Sequence, residues 1–513
     1  MATVALNSSK GRWIMVSTIL ASAMAFIDGT ALNVVLPALQ HSLNASGSDL
    51  FWILNAYLLM LASLILIGGA MGDRLGRKRV FMLGIAIFIC GSAACGFAAN
   101  VFSLVVFRLL QGVGGALMIP GSLSLISSSI DEKQKGKAIG TWSAFTTVVT
   151  MGGPILGGAL ADAGLWRYIF FINIPIGIIA LLMLAFRVQE IKDEDNHAQR
   201  LDFPGAITIV LALAALTFGF LRIPDLGINH PQSYGPLLAG LLLFSLFIYI
   251  ELKSKSPMMP LTLFANATFS GANLLTFFLY AGLGAGILFL SLNVVQVQGY
   301  SQLQSGLTFL PFTLLMIAIA RFAGKLADKY GPRLFLIAGP AIAGAGLLVL
   351  SFVGQTHGPV EYFTTFFPGI FVFGLGMSFT VVPLTTAVMS SVSDHLSGTA
   401  SGINNAVTRI ASVFANAIFG ALAVLIFSST LNTEIKNIPL HPAVQIAVLK
   451  EAGNLGNARP PQGIAKAVSA KIEKAYHNSF IHAYAVIMRI SAILAFLGAL
   501  MAVIFIKPTA IGK

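Results

Sequence analysis

Long apolar runs separated by short polar turns dominate this chain. A run of about 20 apolar residues is long enough to cross the hydrocarbon core of a bilayer as an α-helix. The pattern therefore predicts an all-α membrane protein with fourteen membrane-spanning helices. The runs lie near residues 13–39, 51–72, 80–98, 101–128, 137–161, 166–186, 203–221, 235–251, 269–296, 303–324, 333–354, 362–388, 400–427 and 480–506.

A glycine-bracketed, cation-rich turn follows the second run, and a weaker copy of it follows the tenth. The first copy reads Gly69-Ala-Met-Gly72-Asp73-Arg74-Leu-Gly76-Arg77-Lys78-Arg79. The second reads Gly324-Lys-Leu-Ala-Asp328-Lys329-Tyr-Gly331-Pro-Arg333. A duplicated turn indicates an internal repeat, which is typical of transporters that rock one half of the molecule against the other.

The distance between the two turns predicts how the chain is divided. Six spans per half would place the second turn after the eighth run, so the seventh and eighth runs are predicted to be an insertion. This gives an N-terminal six-helix half (13–186), a linker with two inserted spans (187–268) and a C-terminal six-helix half (269–506).

The distribution of cations predicts the orientation of the helices. Lys and Arg cluster in alternate turns, whereas the short turns between them hold only Arg167 and Arg222. Because cytoplasmic loops carry the excess of cations, both termini are predicted to be cytoplasmic. Segment 428–479 is then an extracellular loop. Its apolar residues recur every four positions, which predicts a short amphipathic helix: Ile464, Val468, Ile472 and Tyr476.

Composition excludes a soluble globular protein. The chain is 56% hydrophobic and 10% charged, whereas soluble domains are about 25% charged. The net charge of +12 lies in short loops between apolar runs, so the bilayer and not a nucleic acid is the expected partner. Cys90 and Cys95 point in different directions on one helix, so neither a disulfide nor a metal site is expected. The first run continues past residue 35, too long for a cleaved signal peptide.

Asp28 is the only acidic residue in the interior of a predicted span, and Arg108 reaches a similar depth from the opposite side. Charges inside the membrane are costly and mark functional sites. Desolvation disfavours the charged carboxylate, whereas a nearby guanidinium favours it, and this competition suits a proton-coupling group. The alternative is a static ion pair that joins spans 1 and 4.

Span 5 carries glycines on both sides of a proline: Gly140, Gly152, Gly153, Pro154, Gly157 and Gly158. Proline frees a backbone carbonyl, and glycines spaced by four residues let a neighbouring helix approach closely. The pattern indicates a helix that seals one face while the bundle opens to the other, although an ordinary kinked packing helix has the same residues.

In combination these segments resemble the major facilitator superfamily, and within it the fourteen-span drug:proton antiporters of the QacA/EmrB type. The first turn is similar to the superfamily's loop signature. The resemblance implies that Asp73 is a conformational latch, with Gly69, Arg74, Gly76 and Arg77 around it. The segment from Arg108 to Ala116 resembles the span 4 motif, whose arginine is linked to proton transfer.

The motifs in spans 1 and 5 narrow the resemblance. The segment from Asp28 to Pro37 is similar to the span 1 motif of the fourteen-span group, in which the aspartate is protonated. Gly140, Gly153, Pro154, Gly157 and Gly158 resemble the antiporter motif that marks exporters, although Val149 replaces one of its glycines.

The resemblance implies proton-coupled efflux of amphiphilic, mainly cationic drugs or other toxic compounds across the cytoplasmic membrane. No cofactor, metal or enzymatic activity is expected, and the proton gradient supplies the energy. Aromatic and methionine side chains suit promiscuous binding. A pocket between the halves is predicted from Phe26, Asn33, Tyr57, Phe145, Phe289, Asn293, Met377, Phe379, Asn405 and Arg409.

Three other functions share some of these sequence features. A dedicated exporter of one metabolite or siderophore fits the same motifs. A proton-coupled importer would lack the Gly-Pro motif of span 5. A membrane enzyme would need a metal cluster, a nucleophile triad or a second carboxylate beside Asp28. The sequence carries no signal for or against a periplasmic adaptor.

Overall fold

The computed structural model describes residues 4–188, 202–393 and 396–507. Fourteen of the described helices are long and apolar enough to cross a membrane, so the predicted number of spans is confirmed. The predicted division into two halves and a linker stays a prediction, and residues 189–201 of that linker lie outside the described residues.

Three long helices of the N-terminal half begin at a polar side chain that caps them. The side chains of Ser8, Ser46 and Asn100 accept hydrogen bonds from the first free backbone N–H groups of their helices. The sixth span is interrupted at Ile172. The helices are α1 (Ser9–Leu43), α2 (Gly47–Leu75), α3 (Arg77–Gly96), α4 (Val101–Ser129), α5 (Glu132–Asp162), α6 (Tyr168–Phe171) and α7 (Asn173–Arg187).

A helical hairpin and then a second set of helices follow α7. The hairpin consists of α8 (Phe203–Leu226) and α9 (Pro231–Lys253). The following helices are α10 (Ala267–Gln296), α11 (Gln302–Thr308), α12 (Leu310–Tyr330), α13 (Arg333–Leu350), α14 (Phe366–Ser390), α15 (Ser397–Glu434), α16 (Pro442–Lys450) and α17 (Lys466–Phe505).

The inserted hairpin lies beside both halves. Ile209 and Leu213 of α8 share an apolar cluster with Leu59 of α2 and Val413 of α15. Because α2 and α15 also pack on each other, the hairpin covers a contact between the two halves.

The two duplicated turns have similar backbone conformations. Gly76 (φ 105°, ψ 124°) and Gly331 (φ 85°, ψ 152°) each end one span immediately before the next begins. Each turn is followed by a helix pair in close backbone contact. Gly84 of α3 lies against α4, and Gly339 of α13 lies against α14. The internal repeat is therefore visible in the structure as well as in the sequence.

The segment 428–479 is more helical than its polar composition indicates. Helix α15 extends to Glu434, and α17 begins at Lys466 and continues through the last span. The amphipathic helix predicted there is not separate, because no proline interrupts the chain between Lys466 and Phe505. Its apolar face, with Ile472 and Tyr476 buried, packs on the core.

Replacing Gly331 by alanine is expected to lower the free energy of unfolding by about 1–3 kcal/mol, because a side chain strains this backbone conformation. Gly136→Ala is the matched control, since Gly136 lies in α5 and has open space around its Cα. Thermal unfolding of the two variants in detergent measures the difference. Equal midpoints would show that the turn tolerates a side chain.

Candidate functional site

A carboxylate and a guanidinium meet in the buried centre of the N-terminal half. Asp28 and Arg108 have relative exposures of 0% and 1%. Arg108 Nη1 donates hydrogen bonds to Asp28 Oδ2 and, at 2.8 Å, to Gln111 Oε1. Gln111 Nε2 donates to Asp28 Oδ1 at 2.9 Å. The three side chains form a closed triangle between α1 and α4.

The shared depth of Asp28 and Arg108 was inferred from the sequence, whereas Gln111 was not assigned a role. Gln111 follows Arg108 by three residues, so both side chains project from the same face of α4. This three-residue spacing is the feature of the sequence that could have identified Gln111 as a partner of Arg108.

Arg108 has further contacts that do not involve the carboxylate. Its Nε donates to the backbone oxygen of Ile53 at 3.4 Å. Its guanidinium lies 4.4 Å from the centre of the Tyr57 ring and 5.9 Å from that of Phe170. These contacts and the hydrogen bond to Gln111 hold the guanidinium in place independently of the carboxylate.

The antiporter motif of α5 brings three helices into close contact. A Cβ on Gly157 would lie 2.7 Å from the backbone oxygen of Ala31 in α1. A Cβ on Gly158 would collide with the backbone of Gln302 in α11, and one on Gly306 of α11 with the backbone of Pro154. Glycine is therefore needed on both sides of the contact between the halves.

The proline of the motif is tied to the helix that carries Asp28. Pro154 has no N–H, so the carbonyl of Thr150 loses its partner within α5. Thr30 Oγ1 lies 2.9 Å from that carbonyl and 2.8 Å from the carbonyl of Phe26 on its own helix, so its one hydroxyl hydrogen is within reach of both. Gly153 lies against Thr30. Gly140, in contrast, has open space around it and does not join this contact.

The halves are joined at their outer ends. Asp162, at the end of α5, accepts hydrogen bonds from Ser301 Oγ at 2.7 Å and from the N–H groups of Gln302 and Leu303 at 2.8 and 2.9 Å. Gln296 Nε2 donates to Gln40 Oε1 at 2.9 Å, which joins α10 to α1. With the predicted orientation, the structure is closed toward the outside.

The loop motif is described only in part. The backbone of Gly76 has positive φ, and Arg77 Nη1 donates to the backbone oxygen of Ser124 at 3.4 Å. Arg74 is exposed, and Gly69 packs beside Pro120 of α4. The side chain of Asp73 lies outside the part of the chain that the structure describes, so its role as a latch stays a prediction.

Some of the predicted pocket residues are packed inside the bundle. Phe289 lies 6.0 Å from the ring of Phe51, and Tyr57 lies beneath Arg108. Asn293 and Met377 are buried as well. In this conformation these four side chains line no open space, because neighbouring helices cover them.

The remaining pocket residues are partly or fully exposed. Phe26 packs edge-on against Trp142 of α5 at 6.5 Å. Phe379 faces Phe335 of α13 at 6.3 Å and so lies away from the other half. The others are Asn33, Phe145, Asn405 and Arg409. Phe145 is 55% exposed. The sequence pattern does not identify Trp142 as a neighbour of Phe26.

Comparisons with known proteins agree with this arrangement, which combines a buried Asp–Arg pair, a Gly-Pro helix against α1 and a duplicated turn. The sequence profile of the Major Facilitator Superfamily matches residues 18–416. The chain belongs to this superfamily. Its resemblance to the drug:proton antiporters is confirmed by relatives that are multidrug and antibiotic resistance proteins, and it is a multi-pass protein of the cytoplasmic membrane.

The relatives match over most of the chain. One is the multidrug resistance protein Stp of Mycobacterium tuberculosis, 32% identical over 85% of this chain and 80% of the relative. Another is the tetracenomycin C resistance and export protein of Streptomyces glaucescens, 29% identical over 93% and 88%. A third is the methylenomycin A resistance protein of Bacillus subtilis, 30% identical over 81% and 88%.

Solved structures support the major facilitator fold. A bacterial homologue of the human lysosomal transporter Spinster, in an inward-facing and unoccupied conformation, aligns with a TM-score of 0.64 at 18% identity. The alignment covers 97% of this chain and 98% of the Spinster homologue. A D-xylose–proton symporter aligns with a TM-score of 0.59 at 14% identity, over 98% and 99%. At these identities the likeness concerns the fold alone.

Gly158→Ala is expected to open the outer face, because the added Cβ collides with α11. Gly152→Ala is the control on the same helix, since nothing lies within 4 Å of a Cβ there. The measurement is the labelling rate of a cysteine at Asn33 by an impermeant maleimide added outside, with both native cysteines replaced. Equal rates in the two variants would contradict the role assigned to the α5–α11 contact.

Arg108→Leu is expected to lower the free energy of unfolding by about 3–5 kcal/mol, because it leaves the buried carboxylate of Asp28 without its cation. The double variant Asp28→Asn/Arg108→Leu should recover most of that loss but not transport. Thermal unfolding in detergent compares the variants. A double variant no more stable than Arg108→Leu would show that the two side chains are not energetically coupled.

Proposed function

We propose that the protein is a proton-driven antiporter that exports amphiphilic, mainly cationic drugs or other toxic compounds from the cytoplasm. The observation that carries this proposal is the buried triangle of Asp28, Arg108 and Gln111. Asp28 lies on α1, the helix that packs against the Gly-Pro segment of α5. The proton gradient is the energy source, without a cofactor, a metal ion or an enzymatic step.

Coupling begins at the carboxylate. When Asp28 is charged, it attracts Arg108 and draws α1 to α4. A proton neutralises the carboxylate and removes this attraction, while Gln111 and Tyr57 keep Arg108 in place. A cationic group of a substrate competes with the proton for the same carboxylate, because both stabilise or remove its negative charge. Because the proton and the substrate cannot bind Asp28 at the same time, the transporter exchanges one for the other.

A change in the charge of Asp28 acts on the contact between the halves through α1 and α5. Thr30 and Ala31 follow Asp28 on α1 and touch the backbone of α5 at Thr150 and Gly157. The next residue of α5, Gly158, is in contact with α11. A small movement of α1 therefore acts on the outer closure through two rigid helices.

A second candidate is a dedicated exporter of one compound. Two relatives are named for single antibiotics, tetracenomycin C and methylenomycin A. A dedicated exporter would protect cells against one chemical series and leave sensitivity to unrelated cationic dyes unchanged.

Everted vesicles should accumulate ethidium when energised, and a protonophore should abolish the accumulation. Asp28→Asn should reduce it to background, because the carboxamide takes up no proton. Asp225→Asn is the matched control, since Asp225 is exposed near the end of α8. Accumulation that persists with the protonophore would exclude proton antiport, and full activity of Asp28→Asn would exclude Asp28 as the coupling group.

A further inference from the structure

Two buried carboxylates lie close together at one end of the inserted hairpin. Asp202 immediately precedes α8, and Glu251 lies in the last turn of α9. Their relative exposures are 7% and 2%. A Cβ built on Gly205 would lie 2.8 Å from Glu251 Oε1 and 3.0 Å from Asp202 Cγ. The separation of the two carboxylates is therefore no greater than these two distances together.

Each carboxylate has one oxygen that the backbone holds and one that has no partner. Asp202 Oδ1 accepts a hydrogen bond from the N–H of Gly205 at 2.8 Å. Glu251 Oε2 accepts one from the N–H of Met259 at 2.9 Å. The other two oxygens, Asp202 Oδ2 and Glu251 Oε1, are buried and accept no hydrogen bond from the described residues. Glu251 Oε1 is also the oxygen that faces Asp202 beside Gly205.

No cation among the described residues compensates the two carboxylates. The neighbouring elements are α9, the segment that follows it, and helices α2 and α15, which pack on α8. Within residues 4–188, 202–393 and 396–507, neither Asp202 nor Glu251 forms an ion pair. The cations of α8 and of these elements are exposed, except for the last, which is half-buried: Arg222, Lys253, Lys255, Arg74 and Arg409.

Two adjacent carboxylates that are removed from water cannot both remain ionised, because each charge is poorly solvated and repels the other. One proton relieves both costs. Bound to one of the two unpartnered oxygens, it neutralises one carboxylate and provides a hydrogen-bond donor for the other. Such a pair takes up and releases protons as a unit.

We propose that Asp202 and Glu251 form a second proton-binding site, which holds one proton between the two carboxylates and is separate from Asp28. The inference goes beyond the proposed function, because proton binding at this site does not require transport.

The site joins the hairpin to the segment that leads into the C-terminal half. Met259, which Glu251 holds through its N–H group, packs against the apolar cluster that contains Ile209 of α8 and Val413 of α15. Loss of the proton leaves two adjacent negative charges, and their repulsion weakens the grip of Glu251 on this segment. With the predicted orientation, this end of the hairpin is cytoplasmic, so the site responds to the pH of the cytoplasm.

Infrared spectroscopy of the purified protein detects the proton directly, because protonated and ionised carboxyl groups absorb at different frequencies. Ordinary carboxyl groups have a pKa near about 4 and are ionised at about pH 7. An Asp28→Asn protein, in which Asp28 cannot contribute, should still show a band of protonated carboxyl at this pH. Adding Glu251→Gln or Asp202→Asn should remove the band, because the remaining carboxylate then has an amide donor and no like charge beside it.

Asp225→Asn is the matched control, since Asp225 belongs to the same hairpin but is exposed near its opposite end. This variant should keep the band. A band that is absent from the Asp28→Asn protein, or that persists after both single substitutions, would overturn the site. Loss of the band on addition of Mg²⁺ or K⁺ would also overturn it, because the carboxylates would then bind a metal ion.

Thermal unfolding gives a second measurement, again with Asp28→Asn as the background. The unfolding midpoint should fall as the pH rises from about 6 to about 9, because the native site holds a proton that the unfolded chain releases. Glu251→Gln should remove at least half of this fall, since a carboxamide reproduces the protonated form. If Glu251→Gln fails to fold, or is less stable than its background at about pH 9, the site is overturned.

These measurements are independent of the proposed function. The spectra and the unfolding curves are recorded without a substrate and without a proton gradient. Vesicles that fail to accumulate ethidium would therefore overturn the antiporter and leave the result for Asp202 and Glu251 unchanged.

Discussion

The rest of the structure depends on the ion pair between Asp28 and Arg108. A single charge in the interior of a membrane-spanning bundle is very costly unless an opposite charge and hydrogen bonds compensate it. Here the carboxylate and the guanidinium are fully buried, and Gln111 bonds to both. The pair therefore fixes α1 against α4 while both groups are charged.

The glycines and the proline of α5 connect the helix that carries Asp28 to the contact between the halves. At Gly157 and Gly158 the backbone of α5 touches α1 on one side and α11 on the other. Such contacts have no long side chains to disentangle, so two helices can separate and return without repacking. The Thr30 hydroxyl lies within hydrogen-bond distance of the carbonyl that Pro154 frees, so a donor is available to the irregular segment inside the bundle.

Much of the fold could be predicted because few backbone structures can cross a bilayer. Run length gave the fourteen spans, and the duplicated turn located the repeat. The pocket was harder to predict, because helices that are apolar on all sides have no periodicity that identifies the inner face. Phe289 and Phe145 are equivalent in the sequence pattern, yet one is buried beside Phe51 and the other is exposed. Gln111 and Thr30 gained their roles only from contacts between distant helices.

The two halves differ in how they compensate charge. In the N-terminal half the interior cation has a carboxylate at hydrogen-bond distance, so this site is electrically balanced when both groups are charged. In the C-terminal half Arg409 is half-buried and forms no ion pair among the described residues. Under the proposed function, a cationic group of a substrate competes with the proton for Asp28, whereas the guanidinium of Arg409 stays charged throughout the cycle. The interior charge is therefore adjustable in one half and fixed in the other.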